Sequence, residues 1–161
     1  MTDVIVPDDW QPLPARARSL FVLAALPLAV VPATVAGFVL ATISNLLPSW
    51  LGGLVGLLLG ATFGTWLGFK QFRNLRWRLD DTGLAVRRGR LWQRETRVPA
   101  TRVQHLDLKR GPLQRGRGLA TLIVHTAGTR LSAVSVPHLD ADDAERLRDR
   151  LGRQIDHDDD A

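Results

Sequence analysis

The sequence predicts an α+β fold in two parts. An N-terminal hairpin of two transmembrane helices is followed by an antiparallel β-barrel or sandwich of six or seven strands, capped by a C-terminal amphipathic helix. Three observations carry this. Ser19 to Phe69 is a run of 51 residues without Asp, Glu, Lys, Arg or His. From Lys70 onward, short alternating runs are broken at close intervals by Gly and Pro. Beyond Asp140, apolar residues recur at helical spacing. The averages over all 161 residues, 45% hydrophobic and 23% charged with a net charge of +5, conceal this segregation. Such an uncharged run excludes an ordinary cytosolic enzyme. The absence of cysteine excludes disulfides, thiolate metal sites and a cysteine nucleophile.

A helix needs about 20 apolar residues to cross a hydrocarbon core of roughly 30 Å, so the uncharged run holds two crossings and a turn. Asn45, Pro48 and Ser49 supply the turn, and Trp50 suits the headgroup level. The helices are therefore expected near Leu20–Ser44 and Leu51–Phe69, within a hairpin of residues 19–69. A cleaved leader would also start with Arg16 and Arg18 before an apolar run, but a stretch of about 25 residues exceeds the usual core of about 7–15. Pro27 and Pro32 each remove a hydrogen bond inside the first helix, which predicts a bend. Arg16 and Arg18 precede the hairpin, Lys70, Arg73, Arg76 and Arg78 follow it, and the turn is uncharged. The positive-inside rule then puts residues 1–18 and everything after Phe69 in the cytoplasm, with the hairpin in the cell's inner membrane.

Gly52, Gly56, Gly60, Gly64 and Gly68 recur every fourth residue in the second helix, and Ala25, Ala29, Ala33, Gly37 and Ala41 do so in the first. Small residues at this spacing let helix backbones approach closely, so the two ladders are expected to pack together. A step of four residues drifts about 40° around a helix of 3.6 residues per turn. Part of the ladder is therefore expected to remain for a second copy or another membrane protein.

Lys70 to Arg130 carries 15 basic residues against four acidic ones, while residues 1–69 sum to −1 and 131–161 to −5. Strands are expected at Arg76–Asp80, Leu84–Arg88, Leu91–Val98, Val103–Leu108, Ala120–Thr126 and Arg130–Val136, the last stopping at Pro137, with a further short strand between Leu113 and Leu119. So many strands in so few residues pair antiparallel, because parallel neighbours need long crossovers. Asp140 is the expected N-cap of a helix in which Ala144, Leu147, Leu151 and Ile155 share one face. Acidic residues fill its first turn and Arg148, Arg150 and Arg153 lie toward its end, as the helix dipole favours. The domain is thus expected over 70–155, with a solvated acidic tail at 156–161. Six or seven antiparallel strands closed by one terminal helix outline a pleckstrin-homology (PH) fold.

The stretch Pro99-Ala-Thr-Arg-Val-Gln-His-Leu-Asp-Leu-Lys-Arg-Gly-Pro-Leu-Gln-Arg115, then Gly118-Leu-Ala-Thr-Leu122, Thr126-Ala-Gly128 and Val136-Pro137-His138-Leu139, resembles the signature of bacterial membrane-anchored PH domains of the YdbS type. The resemblance covers the whole chain, including the two helices ahead of the domain. It implies an integral membrane protein without known enzymatic activity or cofactor. It also implies a heteromeric membrane complex, with a larger relative carrying several such domains as a partner.

The residues themselves present no catalytic constellation. His105, His125, His138 and His157 are scattered along the chain, short of the three or four ligands a metal site gathers. His105 beside Asp107 reads first as an ordinary strand histidine. Ser132, Ser135, His138 and Asp140 lack the strand-turn-helix nucleophile elbow. The basic residues group as Lys70, Arg73, Arg76 and Arg78 beside the membrane, Arg87, Arg88 and Arg90 around the second turn, and Lys109, Arg110, Arg115 and Arg117 around Gly111-Pro112. Each juxtamembrane cation gains about 1 kcal/mol from anionic lipid. The other groups suit an acidic protein partner or a solvated surface. The acidic turn Asp80-Asp81-Thr82-Gly83 speaks against recognition of phosphoinositides there. Nucleic-acid binding lacks any accompanying motif. The leading expectation is a non-enzymatic membrane-anchored binding or assembly module. Alternatives are an anionic-headgroup binder and a small oligomeric pore or transport-accessory protein, the pore weakened by helices without polar pathway groups.

Overall fold

A computed structural model describes residues 9–80, 82–89, 92–127 and 133–159, the side chains of residues 154–159 excepted. The elements run β1 (Gln11–Pro12), α1 (Arg18–Ser44), α2 (Ser49–Arg73), β2 (Leu75–Asp80), β3 (Gly83–Arg88), β4 (Arg94–Pro99), β5 (Val103–Lys109), α3 (Pro112–Arg115), β6 (Leu119–Thr126), β7 (Ala133–Asp140) and α4 (Ala141–Asp159). They divide into two compact units, one holding residues 18–72 and the other holding the segment before Arg18 together with everything from Arg73.

The second of these units is a pair of antiparallel sheets, ordered β1-β2-β3-β4 and β5-β6-β7. Alternation works as the sequence requires. Leu75, Trp77 and Leu79 of β2 are buried, while Arg76 is exposed. Leu119, Leu122, Val124, Val136 and Leu139 from the three-stranded sheet are fully buried, as are Leu147 and Leu151 of α4. Burying such side chains is worth about 1.5–3 kcal/mol each, which fixes the amphipathic helix against β5, β6 and β7. Asp140 stands immediately before α4, and its carboxylate accepts the Asp142 N–H at 3.3 Å. Ile155 lies in the helix, its side chain outside the described residues, and the helix continues to Asp159, beyond the expected start of the tail.

Three strand expectations are corrected. The segment between Leu113 and Leu119 is not a strand: Pro112, with no N–H to lose, opens the single-turn helix α3. The seventh strand comes instead from ahead of the membrane helices. Gln11 and Pro12 pair with Trp77 and Arg76, and two residues are too few to show a period. The strand expected to stop at Pro137 runs on to Asp140, because a bulge absorbs the proline. Ala120 pairs with Leu139 and Leu122 with Val136, so Pro137 and His138 together oppose Thr121. Leu91, Gly128 and the Arg130–Ser132 start of that strand lie outside the described residues.

The helical unit inverts the soluble pattern, with small residues inside and large ones outside. Gly52, Gly56, Gly60, Gly64 and Gly68 are all buried, with Gly53 beside them, whereas Leu28 and Ile43 are 77% and 74% exposed. At 1.5 Å per residue, α1 and α2 are about 40 and 37 Å long, sufficient to cross a bilayer core. Both are long and apolar enough for this, and little of either is buried. Helix α1 runs through Pro27 and Pro32 without interruption. Asn45 adopts φ 51°, the left-handed conformation that ends a helix, and α2 restarts after Pro48. The hydroxyls of Thr34, Thr42, Thr62 and Thr65 donate to carbonyls four residues back, which satisfies them without water.

The two small-residue ladders face each other. A Cβ on Gly60 would stand 2.7 Å from Val30 Cα and 2.8 Å from the Ala29 carbonyl oxygen, and one on Gly64 3.1 Å from Ala29 Cβ. Gly56 lies against the Ala33 carbonyl, Gly52 against Gly37 and Ala41, Gly64 near the Ala25 carbonyl, and Gly68 against Val22. Every glycine of the α2 ladder thus lies against α1. At its far end the ladder has passed from Ala25 to Val22 on α1, so the partner face drifts with it. Replacing Gly60 with Leu should therefore destabilise the hairpin itself by about 1–3 kcal/mol, read as thermal unfolding of the full chain in detergent. Leu59→Ala, on the exposed side, should change it far less.

Candidate functional site

The arginine-bearing end of the four-stranded sheet is built by register. Leu75 pairs with Arg88 and Arg88 with Arg94, so both arginines share the end of the sheet where β2 begins, one residue after α2 ends. An open cavity of about 240 Å³ is lined there by Val86, Arg88, Arg94, Thr96 and Ala133–Ser135. Arg88 donates from Nη2 to the Ser135 carbonyl at 2.7 Å, which holds its guanidinium at the rim. The acidic turn weighed above against headgroup recognition joins the other ends of β2 and β3, about 17 Å along the strand. There Thr82 donates to the Asp80 carboxylate, which with Arg78 holds that carboxyl below its usual range. Asp81 lies outside the described residues. The acidic turn consequently says nothing about the chemistry of the arginine end.

On the outer face of this sheet, Trp10 carries two guanidinium groups, Arg87 at 4.0 Å and Arg78 at 5.5 Å from its ring centre. Arg87 also pairs with Glu95 at 3.0 Å, Arg97 pairs with the same carboxylate, and Arg78 pairs with Asp80. Those pairings hold the Glu95 carboxyl below its ordinary value, through Arg87 first and Arg97 second. The remaining predicted contact residues separate. Lys70 stands 4.6 Å from the Trp66 ring, and Arg110 is paired with Glu145. Arg117 donates to the Leu113 carbonyl at 3.4 Å, while Arg73, Arg76, Lys109 and Arg115 are exposed. Arg90 lies outside the described residues. The Arg87–Arg88 group is thus split between a paired outer face and an open cavity.

Sequence reasoning missed a buried polar network. Gln114 is 8% exposed; its Nε2 donates to Thr121 Oγ1 and meets His138 Nδ1, both at 2.8 Å, and its Oε1 accepts the Gly111 N–H at 3.0 Å. The bulge at Pro137 and a φ of 56° turn His138 toward it. Three separate pieces of the signature stretch converge here. Nδ1 must be unprotonated to accept from Gln114, and burial pushes the His138 pKa down from its ordinary 6.5.

A second grouping was also missed. The register of β5 and β6 puts His105 directly opposite His125, with the rings stacked at 4.1 Å, and Asp107 follows on the same face. Asp107 Oδ2 lies 3.2 Å from His125 Nε2 and 3.9 Å from His105 Nε2. All three donor atoms lie within 4.8 Å of one another. The alternation His105-Gln-Asp107 was a visible signal; the pairing that adds His125 was not.

A seven-stranded pair of antiparallel sheets closed by a terminal helix, with an apolar hairpin between the first and second strands, defines a membrane protein with a PH module. The bacterial PH domain family matches residues 19–155, so the match spans the two long helices and β2 to β7, and the chain belongs to that family. It is 33% identical over 110 residues to the UPF0699 transmembrane protein YdbS of Bacillus subtilis (strain 168), covering 66% of this chain and 67% of that protein.

Because the unfolded imidazole binds its proton near pH 6.5 and the folded one only at lower pH, His138 contributes stability that is present above 6.5 and lost as pH falls through its folded value. His138→Asn keeps a residue tolerant of positive φ but removes the titration. The difference in thermal stability between the native chain and this variant, followed in detergent from pH 7.5 to 5, should shrink toward the acidic end.

Proposed function

We propose that this protein is a non-enzymatic, membrane-anchored binding module of the inner membrane, with both termini in the cytoplasm. It acts by assembly with another membrane protein. The single observation that carries this reading is that the segment before α1 and the domain after α2 form one folded unit, which also holds the arginine excess. Both outer ends of the hairpin thereby meet one basic domain, and positive charge is retained on the cytoplasmic side. A partner of the same family with several such domains fits the resemblance, and the exposed apolar flanks of α1 and α2 are available to its helices or to lipid. A second copy of this chain is the other candidate partner. A pore is disfavoured because the helices carry no ionisable group between Ser19 and Phe69.

A second reading, contact with an anionic headgroup, is favoured by the Arg88–Arg94 cavity. Only Asn74 separates α2 in sequence from β2, whose first residue, Leu75, pairs with Arg88. Two guanidinium groups in a cleft suit a phosphate.

Cross-linking in membranes before purification should recover a stoichiometric membrane partner; recovery of uncross-linked monomer alone counts against assembly. For the headgroup reading, the Arg88→Ala/Arg94→Ala chain should retain about one fewer anionic phospholipid per molecule after gentle detergent extraction. Mass spectrometry of the bound lipids checks this, and equal retention would remove the cavity as the contact.

A further inference from the structure

We propose that His105, Asp107 and His125 form a surface binding site for a divalent transition-metal ion, with zinc the best fit. Two imidazole nitrogens and one carboxylate oxygen are a donor set matched to zinc, nickel or copper and poorly matched to magnesium or calcium. Zinc bonds of about 2.0–2.2 Å at tetrahedral angles set donors roughly 3.4 Å apart. The distances of 3.2 Å from Asp107 to His125 and 3.9 Å from Asp107 to His105 bracket that value.

The support beneath the donors is rigid. His105 and Asp107 are two residues apart on β5 and therefore share a face, and His125 stands opposite on β6 in a ladder of paired residues. Immediately below them Leu122 and Val124 are fully buried, so the β6 backbone is anchored by the core. The His105 and Asp107 side chains are 61% and 59% exposed, and His125 30%, which leaves the ion an open approach and at least one position for water or an outside donor. An outside donor would make this face a metal-dependent contact for a partner protein. The site is separate from the Gln114–His138 network and from the Arg88 cavity, so it stands whether or not the headgroup reading does.

The test uses the full chain in detergent with any affinity tag removed, titrated with zinc chloride by isothermal calorimetry. The expected result is one equivalent bound with a micromolar dissociation constant, weakened at least tenfold in His105→Ala and in His125→Ala and less in Asp107→Asn. Copper(II) loaded in its place should show coupling to two imidazole nitrogens by electron paramagnetic resonance, reduced to one in either histidine variant. Thermal melts without metal confirm that the variants remain folded. No uptake by the native chain at 100 µM zinc, chosen as about a hundred times a micromolar constant, would overturn the site. So would uptake that persists unchanged in the His105→Ala/His125→Ala double variant.

Discussion

The pairing of Gln11–Pro12 with Arg76–Trp77 is the constraint on which the rest of the architecture depends. It joins a strand that precedes both membrane helices to a strand that follows them, so the hairpin is an insertion within one sheet rather than an anchor appended to a finished domain. Leu13 and Ala17 are buried with the domain, and Arg16 pairs with Asp140 at the start of α4.

The hairpin meets the complementary demand, that two helices surrounded by lipid hold together without a hydrophobic driving force. Close backbone approach supplies it, through dispersion contacts that side chains larger than alanine would prevent. The ladder glycines of α2 are buried in the seam while large apolar residues such as Leu28, Leu40, Ile43, Leu59 and Phe63 face outward, so packing and solvation by lipid are met by different faces of the same helices. At the ends, the Arg18 guanidinium lies over the Phe69 ring and the Lys70 ammonium over the Trp66 ring, cation–π contacts that hold both charges at the outer end of the hairpin.

Much of this was legible in the sequence, and the remainder was hidden for identifiable reasons. The uncharged run and the glycine spacing disclosed both helices and the seam between them, since burial in lipid leaves a compositional record. Helix α2 outruns the expected Phe69 by one turn because Lys70 and Arg73 tolerate a helical backbone outside the apolar region. Leu79, Val86 and Leu147 announced their elements by period. Register left no such record. Whether Arg88 meets Arg94, whether His105 meets His125, and how His138 turns toward Gln114 all depend on strand pairing and on one bulge, and no local pattern encodes them.

The proposed topology, with both outer ends of the hairpin on the cytoplasmic side, is tested most directly by cysteine labelling in intact cells. The chain has no native cysteine, so Asp9→Cys, Leu46→Cys and Lys109→Cys each supply one reporter. A membrane-impermeant maleimide should label the Leu46 position, in the turn between the helices, from outside the inner membrane, and should reach the Asp9 and Lys109 positions only after the cells are opened. Labelling of the Asp9 and Lys109 positions from opposite sides, or of both from outside, would contradict it.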